Sequence, residues 1–409
     1  MNKRQLPAAT PRSPLAAPLL AALVASVLLL SACSTLVREP ACPKCPGVEQ
    51  AEPQKPAAKP LQPARWEDLP GWNEDDLAGA WPVFLQSCRG LAGKPQWPLW
   101  RPACEAAKQV DAKDANAQRR FYETQFSPFT AVNPDGATSG LATGYYEPLL
   151  AGARTRSGKA QHPLLAVPKD LLTIELGDLF PELKDKRLRG RLVGNKVVPY
   201  YSRAEIASRE RDAHALLWIE DRVELFFLQV QGSGRVRLPS GELVRVGYAD
   251  QNGHPYQSIG RVLIERGDLK PEQASMQGIQ AWARANPKRL DDLLNSNPSY
   301  VFFRELPQKF GPEDGPPGAL GVPLTPERSI AVDPRNIPLG APVFLATTRP
   351  NSAEPLRRLV MAQDTGGAIK GVVRADFFWG FGAEAGALAG RMKQPAQMWV
   401  LLPPGLAPK

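Results

Sequence analysis

Histidine is scarce in this chain of 409 residues, and its three copies lie far apart in the sequence, at His162, His214 and His254. None of them has the close spacing to another histidine that zinc-binding motifs use. The formal net charge is +9, but the basic residues form no dense cluster of the kind that binds nucleic acid. The composition therefore predicts neither a metal site nor a nucleic-acid partner, and no motif calls for a cofactor.

The N-terminus has the pattern of a secretory signal. Three basic residues precede an apolar run over residues 15–30, which ends at Leu30-Ser31-Ala32-Cys33. A membrane-spanning helix needs about 20 residues, so an uncleaved anchor is the weaker alternative. The sequence Leu-Ser-Ala-Cys resembles a bacterial lipobox, which implies a signal peptide over residues 1–32 and acylation of Cys33. Because Ser34 follows, the resemblance implies lipid anchoring at the periplasmic face of the outer membrane.

Residues 33–64 are rich in proline, alanine and lysine and predict an extended tether. Cys42 and Cys45 form a CxxC pair within it, but no second pair of ligands lies nearby, so we do not expect a metal there. Cys88 and Cys104 belong to the first folded segment. An oxidising periplasm would allow them to form a disulfide, and the sequence leaves this pairing open.

The remaining chain is long enough for two domains. A helical pattern from residue 66 to about residue 129 gives way to short strands bounded by glycine and proline, with hairpin turns at Gly194-Asn195 and Pro239-Ser240-Gly241. The alternation in ELFFLQVQ, residues 224–231, predicts another strand. Helices are expected near residues 271–285, 287–295 and 383–392. The pattern predicts a mainly β fold with some helices (α+β), including a small barrel.

The segment LVMAQDTGGAIKGVVRADFFWGFG, residues 359–382, places Asp364 and Asp376 among apolar and aromatic residues. A buried carboxyl group is costly unless it has a partner or a function, and burial can keep it protonated as a general acid. For Asp376 the alternative is a structural ion pair with Arg374, two residues earlier on the same strand face. Asp364-Thr365-Gly366 resembles an aspartic-protease loop, but the chain has one copy where a single-chain protease needs two.

Several polar and aromatic residues are candidates for contacting a sugar polymer. Aromatic rings suit the apolar faces of sugars, and amides can both donate and accept hydrogen bonds. The substrate-binding candidates are Tyr145, Tyr146, Glu147, Gln229, Gln231, Ser233 and Trp379. Two alternatives remain open: a core strand with one exposed glutamate for the first three, and a polar solvent-facing strand for the next three.

Five motifs in one order resemble the membrane-bound lytic murein transglycosylase A family, whose C-terminal part is a 3D domain. They are TGYYEP, FFLQVQGSGRV, VGYADQNGHPYQSIGR, NPSYVFFRE and QDTGGAIKG…ADFFWGFGAEAG. The resemblance implies a double-psi β-barrel catalytic domain formed by residues 65–151 and 305–403. It also implies a second β domain inserted at residues 152–304, with a cleft between the two. The three aspartates that name the 3D domain fall on Asp333, Asp364 and Asp376.

The family resemblance also implies an activity. Asp376 would be the single catalytic acid, with Asp364 in a supporting role, and the β-1,4 bond between N-acetylmuramic acid and N-acetylglucosamine would be cleaved without water to give 1,6-anhydromuramoyl products. The expected partners are murein glycan strands, outer-membrane lipid through acylated Cys33, and the machinery of cell-wall synthesis or division. Two alternatives remain open: a non-catalytic peptidoglycan-binding lipoprotein, and a hydrolytic muramidase.

Overall fold

The computed structural model of the chain describes residues 58–184, 186, 188–209, 214–307 and 314–406. The predicted signal peptide and most of the tether, with Cys33, Cys42 and Cys45, lie outside the described residues. Within them, no helix has the length and apolar character needed to cross a bilayer. The same residues contain no cluster of three or more histidine, cysteine, aspartate or glutamate side chains that could hold a metal ion.

The described residues form seventeen strands and nine α-helices, joined by turns and short 3₁₀ helices. In chain order they are β1 Leu61–Pro63, α1 Leu77–Leu91, α2 Trp97–Ala107, α3 Ala115–Gln125, β2 Ser127–Ala131, β3 Gly140–Glu147, β4 Leu149–Ala153, β5 His162–Leu165, β6 Leu172–Ile174, β7 Leu188–Val193, β8 Lys196–Pro199, α4 Arg203–Ser208, β9 Ala215–Ile219, α5 Arg222–Gln231, β10 Ser233–Arg237, β11 Leu243–Gln251, α6 Ile259–Glu265, α7 Met276–Ala285, α8 Leu290–Asn295, β12 Val301–Glu305, β13 Ser329–Ala331, β14 Pro342–Thr348, β15 Pro355–Asp364, β16 Arg374–Phe381, α9 Gly382–Ala389 and β17 Lys393–Leu402.

Six strands close into a ring around the largest core. They follow the order β17-β14-β15-β13-β16-β3, and β3 then pairs with the first half of β17 to complete the ring. The pairs β13–β15 and β16–β3 are parallel, and the other pairs are antiparallel. The chain leaves this barrel after β3 and returns to it with β13. The mainly β architecture with helices, expected from the sequence, is confirmed.

The first three helices pack against the outside of the barrel. Asp76 and Asp114 cap α1 and α3, because each carboxylate accepts a backbone N–H of the first helical turn. The buried aromatic side chains of these helices contact one another, as Trp81 does edge to face with Phe121, and form one continuous apolar cluster with the barrel strands. Cys88 on α1 and Cys104 on α2 form a disulfide, which settles the pairing that the sequence left open.

A second β structure lies between β3 and β13 in the sequence. Its six strands follow the order β12-β11-β10-β4-β9-β5, and a bridge between Ala166 and Phe303 joins the two edges. The predicted hairpins are β7–β8 and β10–β11. Helix α5 packs against this sheet, and helices α5 to α8 share a separate apolar core that includes Phe226 and Trp282.

The prediction of a strand over residues 224–231 is wrong, because these residues form helix α5. Asp221 caps the helix by accepting the N–H groups of Val223 and Glu224, and Gly232 ends it in the left-handed conformation. Both faces of α5 are apolar because the helix lies between two cores. Leu225 belongs to the core of the second sheet, and Phe226 belongs to the core shared by the helices. A helix buried on two sides has the same short apolar pattern as a strand.

The disulfide between α1 and α2 should contribute measurably to stability. It closes a loop of 16 residues, for which chain entropy gives about 3 kcal/mol. We expect a reducing agent to lower the melting temperature of the wild-type protein but to have no effect on the variant Cys88→Ser/Cys104→Ser. The control Cys42→Ser/Cys45→Ser should keep the response to reductant. Equal melting temperatures with and without reductant in wild type would contradict a stabilising bond.

Candidate active site

The register of the barrel sheet brings two carboxylates to the same place. The short strand β13 lies between β15 and β16, and Ala331 pairs with Asp364 on one side and with Asp376 on the other. Neighbouring strands are about 4.8 Å apart, so the two aspartate Cα atoms are separated by about 10 Å. Asp364 and Asp376, which are 12 residues apart in the sequence, thus lie on either side of Ala331. This places the two carboxyl groups close enough to belong to one active site.

A small apolar cluster, separate from the barrel core, forms the floor between these carboxylates. Side chains alternate between the two faces of a strand, so Phe377 and Trp379 of β16 enter the barrel core while Asp376 and Phe378 face outward. The members of this floor are Tyr145, Leu324, Ala331, Ile369 and Phe378. Apolar surroundings of this kind disfavour a charged carboxyl group and so favour its protonated form.

Asp364 is held by several donors. The Tyr145 hydroxyl donates to Oδ2 over 3.0 Å, the Ala319 N–H donates to Oδ1 over 3.0 Å, and the Thr365 N–H is a third donor. Burial raises the pKa of Asp364 to about 6, and these three hydrogen bonds oppose the rise because they stabilise the anion. Asp364 can therefore be ionised at neutral pH within an apolar setting.

Asp376 has fewer contacts that favour its charged form. Burial raises its pKa, and the hydrogen bond from the Thr143 hydroxyl and the charge of Arg374 oppose this rise. Among the described residues, Arg374 and Asp376 form no direct ion pair, because Arg374 Nη2 donates to Thr143 Oγ1 over 2.9 Å instead. The simple salt bridge that the sequence left open is therefore absent, and burial favours the protonated form of Asp376.

Asp333 has a different environment. It is fully buried, forms an ion pair with Arg335, and accepts the N–H of Gly371 over 3.0 Å. The hydrogen bonds from Arg335 and from the backbone lower its pKa to about 2, against the opposing effect of burial. Gly371 has φ of +112°, a conformation that favours glycine. Asp333 thus anchors the glycine-rich loop that joins β15 to β16 and is not suited to donate a proton.

The aromatic candidates are less accessible than their sequence pattern suggests. Tyr145 is buried in the apolar floor, with its hydroxyl on Asp364. Tyr146 faces the opposite side of β3 and donates its hydroxyl to the sulfur of Met276. Trp379 is 5% exposed, belongs to the barrel core, and donates Nε1–H to the sulfur of Met392. The Trp379 side chain therefore lies on the opposite face of β16 from Asp376, in contact with Phe377.

Glu147 is entirely buried at the point where the chain leaves the barrel. Its carboxylate accepts from Arg235 Nε over 2.8 Å and pairs with Arg245 Nη2 at 3.5 Å. Both arginines also donate to the carbonyl of Asp314, in the segment that returns to the barrel. With 0% exposure, Glu147 has no surface with which to contact a sugar in this conformation, and its contacts join the two crossing segments instead.

The polar candidates around α5 are dispersed because the segment is a helix and not a strand. Gln229 and Ser233 are buried, whereas Gln231 accepts the N–H of Tyr146 through Oε1. Gln231 and Tyr146 line a cavity of about 200 Å³ between β3 and the helices α5 to α7. The structure thus brings Gln231 beside the barrel but does not place Gln229, Gln231 and Ser233 on one face.

Sequence reasoning missed Thr143 and the N–H of Ala319 as partners of the two aspartates. Thr143 belongs to the TGYYEP segment and shares a strand face with Tyr145, since the two lie two residues apart. That alternation was the available signal. The pairing of Thr143 with Asp376 across 233 residues is a property of the barrel, as is the contact of Ala319 with Asp364.

Two protein families match successive parts of the chain. The family described as "MltA specific insert domain" matches residues 141–304, and the family described as "3D domain" matches residues 328–402. Membrane-bound lytic murein transglycosylase A of Escherichia coli K12 is 37% identical over 268 residues, which are 63% of this chain and 64% of that protein. The alignment therefore spans a little less than two thirds of this curated relative.

Solved structures extend the similarity over nearly the whole folded part. The crystal structure of MltA from Neisseria gonorrhoeae has a TM-score of 0.73 and 40% identity, and the match covers 87% of this chain and 99% of that one. E. coli MltA with bound chitohexaose has a TM-score of 0.64 and 27% identity, with 87% and 97% covered. On this evidence the chain belongs to the MltA family of lytic murein transglycosylases.

Proposed function

We propose that this protein is a lytic transglycosylase that cleaves the β-1,4 bond between N-acetylmuramic acid and N-acetylglucosamine in murein, with Asp376 as its single general acid and base. The observation that carries the proposal is the pair of aspartates across Ala331, above an apolar floor that raises the pKa of Asp376. Membership of the MltA family supports the substrate class, and a relative binds chitohexaose, a β-1,4-linked N-acetylglucosamine oligomer.

The reaction needs only one carboxyl group because the substrate supplies the nucleophile. Asp376 gives its proton to the glycosidic oxygen, and the bond from that oxygen to C1 of N-acetylmuramic acid breaks. The C6 hydroxyl of the same sugar attacks C1, and its proton passes to the Asp376 carboxylate. The new C1–O6 bond gives the 1,6-anhydro product, and the aspartate regains its starting state. Intramolecular attack is favoured because effective molarities reach roughly 10⁵ M or more.

Asp364 has a supporting role in this proposal. Its three hydrogen bonds stabilise the anion, so the proposal assigns the negative charge of the pair to Asp364. A negative charge across Ala331 from Asp376 disfavours a second negative charge nearby. It also stabilises positive charge that develops at C1 as the glycosidic bond breaks.

We further propose that the protein acts on murein strands from the outer membrane. The lipobox-like sequence at Cys33 and the predicted tether after it, whose residues Leu61–Pro63 form strand β1, support anchoring by lipid at the periplasmic face. Curated relatives are named membrane-bound, which supports membrane association. An anchored enzyme on an extended tether could reach the murein layer and the enzymes of cell-wall synthesis or division.

Removal of the acid should abolish the reaction without unfolding the protein. Asp376→Asn keeps the size of the side chain and the hydrogen bond from Thr143 but cannot deliver a proton. We expect release of soluble 1,6-anhydromuropeptides from purified murein, measured by mass spectrometry, to fall by about 10²- to 10⁴-fold, the usual contribution of general acid–base catalysis. Reducing ends in the wild-type products would indicate a hydrolase, and murein binding without products would indicate a binding module.

The hydroxyl of Tyr145 should tune the ionisation of Asp364. Tyr145→Phe keeps the ring in the apolar floor but removes a hydrogen bond that lowers the pKa of Asp364, so this pKa should rise above about 6. Because the proposal needs ionised Asp364, the acidic limb of the pH–rate profile should move to higher pH. The matched control is Tyr146→Phe, whose hydroxyl contacts Met276. A uniform loss of rate, with the limb unmoved, would mean that Tyr145 acts through packing alone.

A further inference from the structure

A chain of two hydrogen bonds connects a guanidinium to one oxygen of Asp376. Arg374 Nη2 donates to Thr143 Oγ1 over 2.9 Å, and the Thr143 hydroxyl donates to Asp376 Oδ1 over 2.5 Å. Arg374 is itself held in place, since Nη1 donates to the carbonyls of Leu141 and Ala375. The three side chains lie on one face of the paired strands β3 and β16, because Thr143 and Asp376 are opposite each other in the register.

The chemistry of these groups fixes the direction of the hydrogen bonds. A guanidinium has donors only, so Thr143 Oγ1 must accept from Arg374. The nearby positive charge then favours the hydroxyl hydrogen pointing away from the guanidinium, toward Asp376 Oδ1. Oδ1 is thereby an acceptor whether Asp376 is charged or neutral. This arrangement favours the acidic proton of a neutral Asp376 on the other oxygen, Oδ2.

We propose that Thr143, oriented by Arg374, is a positioning residue that keeps the acidic proton of Asp376 on Oδ2, the oxygen without the Thr143 contact. The proposal rests on the function proposed above and adds which oxygen of the acid serves the substrate. Thr143 does not exchange a proton with the sugar. It disfavours the arrangement in which the acidic proton is on Oδ1 and hydrogen-bonds to Thr143, where the glycosidic oxygen could not receive it.

Three other groups influence the same carboxyl. Asp364 on β15 and the Tyr145 hydroxyl on β3 face the opposite side of the apolar floor, and Arg374 on β16 lies behind Thr143. Burial raises the pKa of Asp376, while the Thr143 hydrogen bond and the Arg374 charge lower it. Loss of the Thr143 hydroxyl should therefore raise this pKa, and a general acid with a raised pKa remains protonated to higher pH.

The test compares Thr143→Val with Thr143→Ser in the full-length protein, by the pH–rate profile of anhydromuropeptide release. Valine removes the hydroxyl at nearly constant volume. It should move the alkaline limb upward by ~1 pH unit and lower the plateau rate ~10-fold, since a hydrogen bond to a charged group shifts an ionisation by about this amount. Serine keeps the hydroxyl and should retain the wild-type limb. Thr347→Val, a matched change on β14 whose hydroxyl contacts the Pro395 carbonyl, should leave both limbs in place.

A second comparison tests whether Arg374 acts through Thr143. The loss of plateau rate caused by Arg374→Met should be clearly smaller in the Thr143→Val background than in wild type, because the hydroxyl to be oriented is already gone. An unmoved alkaline limb in Thr143→Val, or full additivity of the two losses, would overturn the positioning role. In either case an active wild type that gives anhydro products, with an inactive Asp376→Asn, would leave the proposed function intact.

Discussion

The candidate site depends on the pairing of β13 with both β15 and β16. This three-residue strand is fully buried, and its Ala331 separates Asp364 from Asp376 in the sheet. Because the strands of a closed barrel cannot slide without moving every side chain to the other face, the register fixes both carboxyl groups relative to each other. The same register puts Thr143 beside Asp376, since β3 continues the sheet on the far side of β16.

The two aspartates differ because their donors differ. Asp364 accepts hydrogen bonds from two backbone N–H groups and one hydroxyl, whereas Asp376 accepts one from a hydroxyl among the described residues. The guanidinium of Arg374 is connected to Asp376 through the Thr143 hydroxyl. Hydrogen bonds to the anion favour ionisation, and burial without them favours the neutral acid. Burial beside a shared apolar floor raises the pKa of both carboxyl groups, and the different hydrogen bonds to each one oppose that rise.

Much of the architecture could be predicted from local sequence, but the contacts of the site could not. Turns at Gly194 and Gly241 and the alternating strands of the C-terminal part were readable from residue types. The segment 224–231 was misjudged because it is apolar on two faces, although Asp221, Glu224 and Gly232 carried the signals of a capped helix. Glu147 was expected to be exposed, but its partners Arg235 and Arg245 lie about 90 residues away and meet it only through the fold.

The central claim is that burial raises the pKa of Asp376 above that of an ordinary aspartate in the free protein. The most direct measurement is an NMR titration of the carboxyl carbons in ¹³C-labelled protein, with Asp376 assigned by comparison with Asp376→Asn. The account predicts that the Asp376 signal titrates at a higher pH than an ordinary exposed aspartate and that the Asp364 signal titrates near pH 6. An ionised Asp376 at pH 7, with a midpoint near that of an ordinary exposed aspartate, would contradict it.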